Sequence, residues 1–169
     1  MTTHVERLYR EPYHAQTEPV TVPAFHSTLM TERAFPLHLP SGSFALTAEL
    51  DDALRLTSDA VSRDGDTAHP ALAFVAALGG AGLNVAEILA LCGCSIDAGP
   101  LLASCDLEWE RPLQVSTVYQ VSGEVSSKQR KASRRFGAAD HLAFSFSVSL
   151  NGATYATLTL RMIVPLVPA

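Results

Sequence analysis

The residues whose types and spacing suit them best to catalysis are an aspartate and a histidine five positions apart. Asp64 and His69 stand in the segment DGDTAHPALAFVAALGG, residues 64–80, directly before an uncharged run typical of a buried helix. A carboxylate and an imidazole on one short loop can divide the work of general base and general acid, because histidine exchanges protons near neutral pH. The same residues can equally be the polar start of a core helix, and the sequence leaves both interpretations open.

A predicted helix on each side of the pair must position it. Thr47 caps the first helix, which runs to about Val61 with one apolar face and with acidic residues in its first turn. Pro70 begins the second helix, since a proline at the first helical position costs no hydrogen bond. We predict that this helix bends or pauses at Gly79-Gly80, continues to about Leu91 and is buried on nearly all sides.

Everything after the second helix has the pattern of strands. Apolar and polar side chains alternate, as in half-buried strands, over residues 101–113, 118–125, 142–150 and 153–164. Asn151-Gly152 between the last two is a strong hairpin signal. A buried helix followed by antiparallel strands belongs to the α+β class. We predict a hot-dog fold, in which a long buried central helix is wrapped by an antiparallel β-sheet.

Composition divides the chain into an arm and one domain. Residues 1–40 hold five prolines and are predicted to be an N-terminal arm with one short edge strand at 19–25, and residues 41–169 a single hot-dog domain. The hydrophobic fraction of 47% is high beside 17% charged residues, which indicates a subunit interface in a homo- or heterodimer. A net charge of -5 argues against nucleic acid as a partner.

The cysteines and the N-terminus bear on metal binding and localisation. Cys92, Cys94 and Cys105 lack metal-ligand spacing, so we expect buried thiols in a reducing cytoplasm and no metal. The first 14 residues have no apolar core typical of a secretory signal, which also favours the cytoplasm. Glu87 and nearby glycines argue against a membrane span over residues 70–93.

Four segments together carry a resemblance to a known family: HPALAFVAALGG, LEWERPLQVSTVYQVSGEV, RRFGAADHLAFSFSV and NGATYATLTLRMIV. In their order and spacing the chain resembles the MaoC-like hot-dog dehydratases and hydratases, in particular their divergent N-terminal-type domain, over residues 47–165, about 70% of its length. The resemblance implies dehydration of 3-hydroxyacyl thioesters, or hydration of 2-enoyl thioesters, on coenzyme A or an acyl carrier protein. It implies no cofactor.

The resemblance also implies roles for the opening residues. In one alignment His69 is the general base, Asp64 polarises water or the leaving hydroxyl, and the Ala71 N–H stabilises the enolate-like oxygen, because Pro70 has no N–H. In the other alignment His69-Pro70 replaces a His-Gly pair that opens the central helix. The chain is then a catalytically silent subunit that shapes the acyl tunnel of a partner dehydratase. A hot-dog thioesterase is a third alternative, with Glu87 as the one acid in the central helix.

A basic segment suggests where a carrier would dock. The stretch KQRKASRR holds five of the twelve lysines and arginines: Lys128, Arg130, Lys131, Arg134 and Arg135. We predict that it docks the phosphates of coenzyme A or the acidic surface of a carrier protein, with a solvated hairpin end as the alternative. The alternation of the strands assigns Cys105, Trp109 and Tyr119 to the core and turns His141 outward.

Overall fold

A computed structural model of the chain describes residues 34–166. In chain order the elements are β1 (Leu37–His38), β2 (Gly42–Leu46), α1 (Ala48–Thr57), α2 (Leu72–Gly79), α3 (Val85–Leu91), a 3₁₀ turn (Ile96–Ala98), β3 (Leu101–Trp109), β4 (Thr117–Ser133), β5 (Gly137–Leu150) and β6 (Ala153–Pro165). The edge strand predicted at residues 19–25 lies outside the described residues. No helix within residues 34–166 is long and apolar enough to cross a membrane.

The six strands form one antiparallel sheet in the order β1-β4-β5-β6-β3, and β2 pairs with β4 further along the edge that β1 occupies. The predicted Asn151-Gly152 turn joins β5 to β6, and both residues have the positive φ that a tight hairpin needs. The sheet confirms the antiparallel α+β architecture. It begins earlier than the predicted domain boundary at residue 41, because Leu37 and His38 already pair with β4.

The core lies between α2 and the inner face of the sheet. The helix contributes the fully buried side chains Leu72, Ala73, Ala76 and Ala77. The inner face contributes every second residue of β4, β5 and β6, among them Tyr119, Val121, Phe144, Phe146, Val148, Ala156 and Leu158. Burial of this apolar surface is the main stabilising contribution to the fold. The period-2 alternation therefore identified the inward residues of these strands correctly, Tyr119 included.

The predicted long central helix is two separate helices, which corrects the sequence-based expectation. Helix α2 ends at Gly79, and Gly82 takes a positive φ of +71°. Strand β2 crosses so close to this turn that a Cβ on Gly42 would collide with the carbonyl oxygen of Gly80. Helix α3 then starts afresh with a capping box, in which Asn84 and Glu87 each bond the other's backbone N–H.

Two further expectations about the elements were wrong. Helix α1 stops at Thr57 rather than near Val61, and Asp59 follows it with a positive φ of +53°. On β3, Cys105 is exposed and Trp109 keeps 50% of its surface accessible, although both were assigned to the core. The reason is topological: β3 is the last strand of the sheet, so its free edge is uncovered within the described part of the chain.

Candidate functional site

The loop between α1 and α2, residues 58–71, carries both predicted catalytic residues. Backbone hydrogen bonds tie it to the segment before β4: the Ala68 N–H donates to Leu113 O over 2.8 Å, and the Val115 N–H donates to Asp66 O over 2.9 Å. Thr67 also forms an isolated antiparallel bridge with Gln114. The second half of the loop is thus fixed to the sheet, and His69 follows immediately after the fixed part.

A buried carboxylate, Asp51 of α1, organises the rest of this loop. Its side chain has no accessible surface, and its Oδ2 lies 2.7 Å from Arg55 Nε and 3.2 Å from Arg63 Nε. Its Oδ1 accepts the backbone N–H of His69. Burial alone would raise the pKa of Asp51, but the bond from His69 and the two guanidinium groups together outweigh it and lower the pKa. Asp51 is therefore held as an anion.

The two arginines extend this arrangement along the loop backbone. Arg55 Nη1 donates to Val61 O over 2.9 Å and Arg55 Nη2 to Thr67 O over 3.2 Å. Arg63 Nη1 donates to Gly65 O over 3.2 Å. We call Asp51, Arg55 and Arg63 the Asp51 cluster. This cluster was not predicted from the sequence, because acids in a first helical turn are expected there as partners of the helix dipole alone. The i,i+4 spacing of Asp51 and Arg55 was the available signal.

The structure does not bring Asp64 and His69 together. Asp64 is exposed, and within residues 34–166 its carboxylate forms no hydrogen bond or ion pair. His69 is half-buried, and its Nδ1 accepts the Ala71 N–H over 3.2 Å. That bond leaves Nε2 as the nitrogen that carries the proton in the neutral ring. The Ala71 N–H, the predicted oxyanion donor, is therefore directed at the imidazole.

An apolar pocket lies between α3 and the inner face of the sheet. It is lined by Leu78, Val85, Ile88, Leu89, Phe144, Phe146, Leu160 and Met162 and encloses about 20 Å³. A space of this size holds about one water molecule. Its lining is apolar, but a hydrocarbon chain is larger than this space.

The five basic residues of the predicted docking segment do not form one surface. A register shift in β4 between Val125 and Ser127 turns Lys128 and Arg130 to the inner face, where both pair with Asp140 of β5. Lys128 Nζ lies 3.1 Å from Asp140 Oδ2 and donates to Cys92 O over 2.7 Å. The remaining three, Lys131, Arg134 and Arg135, are exposed, the last two in the β4–β5 turn.

Asp140 is the second buried carboxylate, and its side chain is 1% exposed. Arg130 donates to both of its oxygens, over 2.8 and 3.1 Å. The hydrogen bonds from Arg130 lower the pKa of Asp140, and Lys128 lowers it further against the opposing effect of burial. Two of the predicted docking cations thus serve to neutralise Asp140.

The remaining candidates are placed as follows. Glu87 is exposed in the first turn of α3, and its Oε2 accepts the Asn84 N–H over 2.8 Å. It is therefore a capping residue and not an acid in the middle of a central helix.

Of the cysteines, Cys92 is buried and Cys94 is half-buried, and burial raises the pKa of the Cys94 thiol. Residues 34–166 contain no cluster of His, Cys, Asp and Glu side chains that could hold a metal ion.

Comparison with solved structures identifies the fold. The ChsH1-ChsH2 complex from Mycobacterium tuberculosis matches with a TM-score of 0.60 and 12% identity over 78% of this chain and 86% of that one. A monoamine oxidase regulatory protein from Archaeoglobus fulgidus matches with a TM-score of 0.60 and 13% identity over 80% and 93%. The 3R-hydroxyacyl-ACP dehydratase complex HadBC from M. tuberculosis matches with a TM-score of 0.50 and 10% identity over 73% and 94%.

At these identities the likeness is one of fold. No family model and no curated protein matches the sequence. The chain shares the fold of these structures, and its antiparallel six-stranded sheet with three helices is consistent with the predicted hot-dog α+β architecture.

Proposed function

We propose that this chain is one subunit of a two-subunit hot-dog dehydratase that removes water from 3-hydroxyacyl thioesters or adds it to 2-enoyl thioesters. It shapes the acyl site, and its partner supplies the acid–base pair. The reaction needs a base, an acid and a donor for the enolate-like oxygen. The observation that carries the proposal is the loop between α1 and α2, where Asp64 is turned to solvent, Asp51 is held by two arginines and the Ala71 N–H is bonded to His69.

The free edge of β3 is the surface we assign to the partner. It exposes large apolar side chains, with Leu101 at 44%, Leu102 at 57% and Trp109 at 50% accessible. An uncovered edge strand with such side chains favours pairing with another strand. Two of the matched structures, ChsH1-ChsH2 and HadBC, are complexes, which supports a hot-dog partner for this chain.

The charges on β3 favour a partner of different sequence over a second copy. Asp106, Glu108 and Glu110 follow one another at alternate positions. If two copies of β3 pair antiparallel with the centre of the pair at Asp106, Leu107 or Glu108, acids of the two copies lie directly opposite each other. If the centre is at Cys105, the two copies of Asp106 are diagonal neighbours. Like charges across a strand pair are destabilising. A partner edge that carries lysine or arginine removes this penalty.

Replacing Leu102 with arginine is expected to lower the affinity between the two subunits at least tenfold, because it puts a charge on the strand edge that the partner would cover. Light scattering after size exclusion, over a dilution series of the complex purified through a tag on this chain, measures the effect. Leu56→Arg is the matched control, since Leu56 is 83% exposed on α1 and is not part of β3. An assembly that tolerates Leu102→Arg as well as Leu56→Arg would show that β3 is not the interface.

The catalytic part of the proposal is tested by turnover of a short 2-enoyl thioester, crotonyl-CoA. We expect no hydration by the purified chain alone and hydration by its complex, with His69→Ala changing the turnover of the complex by less than about threefold. General acid–base groups contribute about 10²–10⁴-fold, so a catalytic His69 is readily distinguished. His38→Ala, an exposed histidine on β1, is the control.

Three results bear against the proposal in different ways. Hydration by the lone chain that falls about 100-fold in His69→Ala would make the loop itself catalytic. Release of free thiol in place of hydration would indicate a thioesterase. No hydration by the complex of either crotonyl-CoA or the crotonyl thioester of an acyl carrier protein would exclude the dehydratase function.

A further inference from the structure

A second cavity lies on the opposite face of the sheet from α2. It is a cleft of about 330 Å³, lined among others by Ser127, Gln129, Lys131, His141, Ala143 and Arg161. Leu142 and Phe144 of β5 are buried on the inner face, so His141 and Ala143, which alternate with them, lie on the outer face. The cleft is therefore separated from the helix loop and from the apolar pocket by the sheet itself.

Two irregularities in the strands account for the concave shape. The register shifts between Val125 and Ser127 on β4 and between Leu102 and Ser104 on β3. Such bulges bend a strand and increase its twist. They lie at the same level of the sheet, because Ser127 pairs with Ala143, Ala143 with Arg161, and Arg161 with Ser104. The small side chain of Ala143 lies between the two bends.

The cleft is cationic in a chain of net charge -5. Lys131 and Arg161 form no ion pair with any acid in residues 34–166, and no acid is among the lining residues. By register, the nearest acids on this face are Glu124, which lies 3.6 Å from the imidazole of His38, and Asp106 on β3. Cations that line one concavity with no acid among the lining residues attract anions.

We infer that this cleft binds the phosphate groups of a small molecule, such as a nucleotide or a diphosphate. The Arg161 guanidinium offers the planar donor pair that fits phosphate oxygens, and Lys131 adds a mobile point charge. Gln129, Ser127 and the His141 ring supply further hydrogen-bond donors around them. The volume lies at the lower end of the range for small-molecule sites. This inference does not rest on the proposed function, because it concerns the other face of the sheet.

The test is an NMR titration of the full-length chain with inorganic pyrophosphate and, separately, with ADP at low salt. We expect saturable shifts of the Ala143 and His141 amides with both probes. We expect Lys131→Gln/Arg161→Gln to weaken binding at least tenfold. The control Arg134→Gln/Arg135→Gln removes the same charge from the adjacent turn, outside the lining, and is expected to change binding less than twofold. Unchanged amide spectra elsewhere verify the fold of each variant.

The outcomes distinguish a nucleotide from a simple diphosphate as the ligand, and they show whether the inference itself fails. Tighter binding of ADP supports a nucleotide, whereas equal binding of the two probes supports a simple diphosphate. No shift at the cleft amides up to about 10 mM probe, or equal weakening by the two double variants, would overturn the inference, since either result means that only general charge attracts the anion.

Discussion

Replacing Asp51 with asparagine is expected to lower the free energy of unfolding by about 3 kcal/mol, because it leaves two arginines without the anion that holds them. The side chains of Arg55 and Arg63 are only 12% and 19% exposed, so water cannot fully replace the carboxylate. Urea unfolding followed by circular dichroism measures the loss. Because both arginines also bond the loop backbone, the amide of His69 is expected to exchange its hydrogen faster in the variant.

Asp52→Asn is the matched control for this prediction. Asp52 is the next residue of the same helix and pairs with Arg63 over 3.3 Å, but its side chain is 61% exposed. An exposed pair of this kind contributes less than about 1 kcal/mol. Equal destabilisation by the two substitutions would mean that burial of Asp51 adds nothing to its ion pairs. Unchanged exchange at His69 would mean that the Asp51 cluster does not position the loop.

The sheet was predictable from sequence because the patterns that define its strands and turns lie within short stretches of the chain. Buried and less buried residues alternate over most of strands β5 and β6, and a tight Asn-Gly turn joins them. The division of the central helix was less apparent, since residues 70–91 are apolar apart from Asn84 and Glu87. The reason for it is tertiary, because β2 and the turn after α2 approach at the glycines Gly42 and Gly80. The local signal was the Asn84-x-x-Glu87 capping box.

The candidate site depended on contacts that no periodicity encodes. Asp51 is three residues into a helix that begins with several acids, and two of its partners, Arg63 and the His69 N–H, come from the following loop. The basic segment was found as a charge run, but the face each cation takes is decided by the bulge after Val125. Because residues on both faces are polar in this stretch, a bulge there does not interrupt any apolar–polar alternation in the sequence. Two docking candidates were therefore structural cations.

The two buried carboxylates predict how stability depends on pH. The pKa of Asp140 is lowered chiefly by Arg130, and the pKa of Asp51 is lowered by its bonds against burial, so each is below its unfolded value near 3.9. The unfolded chain then binds more protons at acid pH, and stability rises with pH in that range. We expect stability to be nearly constant from about pH 8 to pH 5 and to fall below about pH 4, as the folded carboxylates are protonated.

Replacing Asp140 with asparagine is expected to remove part of this acid sensitivity. At pH 7 the loss is about 2 kcal/mol, less than for Asp51, because Arg130 is 62% exposed and water partly solvates it. The difference from the unmodified chain is expected to shrink as the pH falls below the unfolded pKa near 3.9, since the stability that the lowered pKa of Asp140 contributes is lost in that direction. Urea unfolding across this pH range measures both quantities. Asp64→Asn is the control, because Asp64 is an exposed carboxylate without a partner among the described residues. Its free energy of unfolding is expected to equal that of the unmodified chain at each pH. A loss in Asp140→Asn that is the same at pH 3 as at pH 7 would show that Asp140 stabilises the fold by packing and not by its charge.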